Sequence, residues 1–427
     1  MGLSRLIRPA RFMAMVPEPD GQGRTLFSNA RIFDGLSSDL MEPAFVVIGG
    51  GVIETVGFDR PQGRYAAEVD CTGMTLMPGL IDAHFHAFAT EVDTAKCEKF
   101  PRTYEAQRAR LNLEAALRRG FTTVRDVGGG DHGTWLAAEQ GLFPSPRFFF
   151  CGRAFSQTGG HGDGRAPHEA HDLCGCAPTG VLSDLIDGVD GLRKAAREAL
   201  RQGAHHLKIF MSGGISTPSD PIWYLQFSDD EIMAVVDEAA RRGCYVAAHA
   251  YTADSIARAV AFGVRSIEHG NLIDAETAHK VANAGAFIVP TLVTYEAFHR
   301  YGSESGAADS TLEKLSDVRE RGLEAIRLCK SAGVRLGFGT DLLGSLHYLQ
   351  REEFILRSKV EAPVDVLKSA TSINAAILNM DGKLGVIAPG AFADMVLIDG
   401  NPLTDISLLG VESRAILQIW SRGRQIV

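Results

Sequence analysis

From about Thr25 to Val69, apolar and polar residues alternate in short runs punctuated by glycine, as in TLFSNARIFDG and FVVIGGGVIETVG. A period of two predicts short, half-buried strands. The same rhythm returns at the end, in GAFADMVLIDGNP and ILQIWSRGRQIV. Between these ends the pattern changes to helix-length amphipathic segments: YEAQRARLNLEAALRRG, VDGLRKAAREALRQG, SDDEIMAVVDEAARRG and TADSIARAVAFG. A short apolar run follows each one: FTTVRDVGG, AHHLKIFMSGG, CYVAAHAY and VRSIEHG. Helices alternating with buried strands predict βα units around a parallel sheet. Eight strands are expected, ending near His86, Val127, Cys151, Met211, His249, Glu268, Thr291 and Thr340. That number fits an α/β fold of the (β/α)8 TIM-barrel type. A doubly wound sheet would place a glycine-rich fingerprint after its first strand, whereas GLIDAHFHAF ends in HFH. The expected division is an N-terminal arm over 1–24, a small composite β-sandwich domain from 25–78 and 381–427, and the barrel over 79–380. Chain ends commonly lie close together, which lets the two β-rich ends pair beside the barrel.

Composition changes this picture little. The 427 residues are 45% hydrophobic and 22% charged, as in ordinary soluble proteins. With 43 basic against 52 acidic residues the net charge is −9, which speaks against nucleic acid or an anionic membrane as partner. No apolar segment is long enough to span a bilayer. Of the seven cysteines only Cys174 and Cys176 sit close together, and their gap fits neither zinc nor redox spacing. Reduced thiols, a cytoplasmic location and a homo-oligomer are expected.

The chemistry sits at the strand ends. They carry His84 and His86, Lys208, His249, His269 and Asp341. Side chains two apart on a strand share a face, so His84 and His86 point inward and Phe85 toward the helices. A single histidine at a strand end is ordinarily a hydrogen-bonded core residue, and that reading, or simple surface exposure, is taken for His205, His206, His279 and His299. A lone Asp341 could cap a helix. Six polar groups at one barrel mouth are another matter, since each one buried without a partner costs about 1–3 kcal/mol. A metal centre satisfies all of them together. Imidazole and carboxylate suit zinc, and also manganese, iron or cobalt. A protonated lysine cannot ligate. Burial beside cations lowers its pKa, and the neutral amine of Lys208 can take up CO2 as a carbamate that bridges two metals.

These residues, with LMPGLIDAHFH, SIEHG, GFGTD and GVIAPGAFADMVLID, resemble the amidohydrolase superfamily over nearly the whole chain. TTVRDVGG, TGGHGD and HAYTADSIARAVAFGVRSIEHG resemble its Xaa-Pro dipeptidase-like and imidazolonepropionase-like branch, which includes carboxypeptidase-like dipeptidases and ochratoxin-type amide hydrolases. The resemblance implies two bridged divalent metals, usually zinc. His84, His86 and Asp341 would hold one, His249 and His269 the other, and carboxylated Lys208 would join them.

Two such metals lower the pKa of a shared water, and the metal-bound hydroxide attacks a carbonyl carbon. Asp341 is expected to accept the water's proton and pass it to the leaving nitrogen. Tyr251, two residues after His249, shares its inward face and can serve an oxyanion or a substrate carboxylate. His161, between glycines in TGGHGDG, resembles a substrate-binding histidine of the branch. Two insertions, Gln157 to Leu182 and Gly213 to Phe227, should cover the mouth, and Trp223 and Tyr224 in the second offer aromatic contacts to substrate. The expected substrate is a small amide: a dipeptide or an N-acyl amino acid, aryl-acyl included. Hydrolysis of a cyclic amide, lactone or ester would use the same metals. A non-enzymatic scaffold predicts missing ligands, and none is missing.

Overall fold

The computed structural model describes residues 23–165, 181–217 and 220–427. Cys174, Cys176 and most of the N-terminal arm lie outside the described residues. Five strands open the chain: β1 (Thr25–Ile32), β2 (Met41–Gly49), β3 (Val52–Gly57), β4 (Ala67–Asp70) and β5 (Met74–Pro78). Next come β6 (Leu80–Phe85), β7 (Phe121–Asp126), β8 (Arg147–Phe150), β9 (Ala154–Ser156) and β10 (Ser183–Leu185). β11 (Leu207–Phe210), β12 (Val246–Thr252), β13 (Ser266–Leu272), β14 (Phe287–Val289) and β15 (Arg335–Leu336) follow, separated by helices. β16 (Met395–Asp399), β17 (Ile416–Ser421) and β18 (Arg424–Gln425) close the chain.

β1–β5 and β16–β18 form one eight-stranded sheet in which β5 pairs antiparallel with β16, joining the two ends of the chain. The central strands are parallel and fall in two sheets, β6-β7-β8 and β10-β9-β11-β12-β13-β14-β15. Every residue of β6 and β7 is buried, the mark of parallel strands covered on both faces. The third expected strand is two. Arg147–Phe150 pairs with β7, the chain turns at Gly152 (φ +81°), and Ala154–Ser156 pairs with β11. One run of chain therefore passes from one parallel sheet to the other. The second seam lies between β6 and residues 338–341: Ala83 N donates to Phe338 O at 2.8 Å and Asp341 N to His84 O at 2.8 Å.

Close approach at this seam requires glycine. A Cβ on Gly339 would sit 2.5 Å from a Val289 methyl carbon and 2.6 Å from His84 Cβ. Asp82 reinforces the seam by accepting from His84 N, Thr340 N, Thr340 Oγ1 and Gln350 Nε2. The helices start where their sequences dictate. SDDE makes a capping box in which Ser228 and Glu231 satisfy each other's backbone, ahead of the helix Asp229–Arg241. Phe85 faces outward, packed with Leu113, Phe121 and Phe354. Among the described residues no helix is long and apolar enough to cross a membrane.

Candidate active site

His84 and His86, at the end of β6, point their Nε2 atoms at one oxygen. Asp341 Oδ1 lies 3.3 Å from the first and 3.2 Å from the second. The ligand atoms of these three residues all fall within 4.8 Å of one another. The imidazoles then continue as an arc. Ring centroids are 4.9 Å apart for His84 and His269, 4.6 Å for His269 and His249, and 4.3 Å for His249 and His161. Lys208 lies buried among them on β11.

Each of the four strand-end histidines has its other ring nitrogen engaged by oxygen. His84 Nδ1 meets Glu268 Oε2 at 2.8 Å, and His86 Nδ1 meets Gly128 O at 3.2 Å. His249 Nε2 meets Gly213 O at 3.2 Å, and His269 Nδ1 meets Thr291 Oγ1 at 2.8 Å. An acceptor on one nitrogen fixes the tautomer and leaves a lone pair on the other, as metal-ligating histidines require. The residues present therefore fit a metal centre.

Electrostatics agree. Burial, then the neighbouring imidazoles, push His249 and His269 well below the usual histidine range, so both rings stay neutral. Burial alone would raise the Asp341 carboxyl, but His84 and His86 hold it well below the usual carboxylate range. Burial lowers the Lys208 ammonium, against Glu268 and Asp341, which favour its charge. Neutral imidazole and ionised carboxylate are the protonation states that bind cations.

Sequence reasoning missed Glu268. Neighbours on a strand face opposite sides, so Glu268 and His269 should diverge, yet both reach His84. His269 has φ +77°, a left-handed backbone that breaks the alternation, and Asp341 shares the region at φ +52°. Such conformations cost on the order of 1–3 kcal/mol and concentrate at functional sites. Burial opposes ionisation of Glu268, but Arg125, 2.8 Å away, and His84 hold it ionised well below the usual range. Arg125 thus pairs with Glu268 and not with its neighbour Asp126. Asp126 instead accepts from the backbone of Ala87, Gly128 and Gly130. Thr291 was missed as well, and no local signal marks it.

Tyr251 is buried, its ring stacked 5.1 Å from His269. Thr291 Oγ1 donates to Tyr295 OH (3.4 Å), which donates to Tyr251 OH (3.1 Å). His161 is no solvent-exposed loop residue. Its Nδ1 lies 3.2 Å from Asp220 Oδ2, and its backbone N–H donates to Gln226 Oε1. Trp223 and Tyr224 are 69% and 54% exposed on the segment after β11, their rings 6.3 Å apart.

The amidohydrolase family model matches residues 75–426. The chain is 30% identical to an ochratoxinase of Aspergillus niger over 402 residues, which is 89% of this chain and 82% of that protein. A prolidase solved in complex with N-methylphosphonate-L-proline superposes with a TM-score of 0.91 at 44% identity, covering 94% of this chain and 99% of that one. An amidohydrolase crystal structure gives 0.92 at 44%, covering 95% and 99%.

Proposed function

Because the chain belongs to the amidohydrolase family, hydrolases of carbon–nitrogen bonds, we propose that it cleaves the amide bond of dipeptides or N-acyl amino acids, aryl-acyl included, at a binuclear divalent-metal centre. The observation that carries this reading is the set of four imidazoles, each with one ring nitrogen engaged by oxygen, around Asp341 and Lys208. The proposed scaffold is a closed (β/α)8 barrel over 79–380 with a β-sandwich from 25–78 and 381–427. Seam bonds from Ala83 to Phe338 and from His205 to Phe150 support the closure.

His84, His86 and Asp341 would hold one cation and His249 and His269 the other, with the Lys208 carbamate between them. Two zinc ions, when bound, supply Lewis-acid polarisation of the scissile carbonyl and a water acidic enough to be a nucleophile near neutral pH. Asp341 would accept the attacking water's proton on its carboxylate and return it to the leaving nitrogen. Tyr251 receives a hydrogen bond from Tyr295, which leaves its own proton to donate to the carbonyl oxygen or to a substrate carboxylate. His161, braced by Asp220, faces the same space and offers a second contact to that carboxylate. A prolidase complexed with N-methylphosphonate-L-proline and an ochratoxinase stand among the similar proteins, which is why this class leads.

The test is a screen of zinc-loaded protein against dipeptides ending in proline, N-acyl amino acids, ochratoxin A and a lactone panel, with metal content measured on the same sample. Hydrolysis of the amides with about two metals per chain is expected. Turnover confined to lactones, or full activity in metal-free protein, would overturn the reading.

A further inference from the structure

Lys314 lies on the helix Asp309–Arg319, in the segment between β14 and β15, where a lysine would ordinarily extend into water. It turns inward instead. Its Nζ donates to three backbone carbonyls of one segment: Thr217 O at 2.7 Å, Asp220 O at 2.7 Å and Gly214 O at 3.2 Å. An ammonium has three donors, and these carbonyls use all of them.

The segment so gripped follows β11 and touches the site at two points. Gly213 O holds His249 Nε2, and Asp220 Oδ2 holds His161 Nδ1. The backbone runs flat against the His161 ring, since a Cβ on Gly214 would come within 2.1 Å of it. Asp220 is completely buried and ties the segment to itself, accepting from Gly214 N at 3.1 Å and Gln226 Nε2 at 3.1 Å. The other end of the clamp is firm. Leu315 and Val318 of the lysine's helix are buried in the main core, and Asn271, two residues after His269, donates to Val318 O at 3.0 Å.

We propose that Lys314 is a positioning residue for substrate binding, cross-linking the segment after β11 to the helix Asp309–Arg319 so that His161 and the Gly213 carbonyl stay fixed against His249. The proposal rests on reading the imidazole arc as the hydrolytic centre. Lys314 touches neither substrate nor any strand-end ligand, and acts only through the segment it holds. Charge-assisted hydrogen bonds are the strong kind, and three converge here on a stretch crossed at its base by the backbone bonds Gly213 N to Tyr224 O and Gln226 N to Met211 O, with Tyr224 N to Pro221 O inside it.

The experiment compares wild type, Lys314→Met and Lys314→Arg in the zinc-loaded full chain. It reads amide hydrogen exchange, metal content and steady-state kinetics on the best amide substrate of the screen. For Lys314→Met, exchange over 211–227 should rise about tenfold or more, while β11 and the helix Asp309–Arg319 keep their protection. KM should rise about tenfold with kcat within about threefold, since binding geometry is lost and chemistry is not. Metal content should stay at the wild-type value, and Lys314→Arg should recover KM to within about threefold. Wild-type exchange and wild-type KM in Lys314→Met would overturn the proposal. So would exchange rising equally across the whole chain, which would make the lysine a general stabiliser. If wild type cleaves nothing in the screen, the reading of the site fails, and exchange over 211–227 alone then decides whether Lys314 holds the segment.

Discussion

Asp341 and Tyr251 stand close together at the site, yet the structure gives them different surroundings and so different tests. Asp341 is ionised and contacts His84 and His86, whereas Tyr251 has its hydroxyl proton held on by burial, which pushes its pKa up. Asp341→Asn removes both a ligand and the proton shuttle, and kcat should fall by ~10²-fold or more with the fold intact. Tyr251→Phe removes one hydrogen bond and should cost only ~1–3 kcal/mol in kcat/KM. Comparing a free acid with its methyl ester assigns that bond. Loss of preference for the free acid means Tyr251 reads the carboxylate, and equal slowing of both means it serves the oxyanion. No change with either substrate would reduce Tyr251 to packing. Lys208 can be tested by charge and chemistry together. Lys208→Ala should abolish activity, with partial rescue by acetate, and Lys208→Arg should stay inactive because a guanidinium forms no carbamate. Full activity in the arginine variant would eliminate the bridging role. These residues were legible in the sequence because strand periodicity puts them at strand ends. Their orienting partners were not, since Glu268 meets His84 across 184 positions of chain and no spacing rule reaches that far.

The helix Leu292–Tyr301 shows how the site reaches into an element. Its N-cap, Thr291, makes no side-chain cap hydrogen bond, because the hydroxyl serves His269 and Tyr295. The vacancy is filled from elsewhere. Glu353 Oε2 accepts from Val293 N at 2.7 Å, while Glu353 Oε1 lies buried without a partner. Neither the helix nor this substitution of one cap by another was read from the sequence, and Glu353 looks there like an ordinary first-turn acid of Glu352–Arg357. Burial raises the Glu353 carboxyl from 4.5 to about 8, against the pull of Arg357. The folded protein therefore holds a proton that the unfolded chain releases, and stability should fall as pH rises from about 4.5 to about 8. The slope from this one group is at most about 1.4 kcal/mol per pH unit. Glu353→Gln keeps an acceptor for Val293 N and cannot ionise. Urea midpoints at acid, neutral and mildly alkaline pH should show the variant gaining on wild type as pH rises. Parallel curves would mean that Glu353 is charged in the folded state.

At the scale of the whole molecule, parallel βα units and the pairing of the chain's ends could be read from the alternation of periods. The break of the third strand at Gly152 could not, because a glycine inside an apolar run also fits a simple turn. That break divides the parallel strands into two sheets, and the second seam between them carries two of the candidate ligands. At the second seam His84 sits on β6 and Asp341 on the strand-end segment opposite, joined by the backbone bond from Asp341 N to His84 O. A cation shared by these side chains would close the same seam a second time. Binding to the folded state alone stabilises by about 4 kcal/mol when free metal is ~1,000 times Kd. Chelation should therefore lower the melting temperature, and the loss should be uneven. Exchange at Ala83, Thr340 and Asp341 should quicken more than exchange in the β16–β17 pair, which is remote from the ligands and antiparallel in its own sheet. His86→Ala should reproduce the local loss and make the protein less responsive to chelator. If chelation instead loosened β16–β17 as much as the seam, the cation would be acting as a general stabiliser, and the strand-end histidines would need another explanation for their pinned rings.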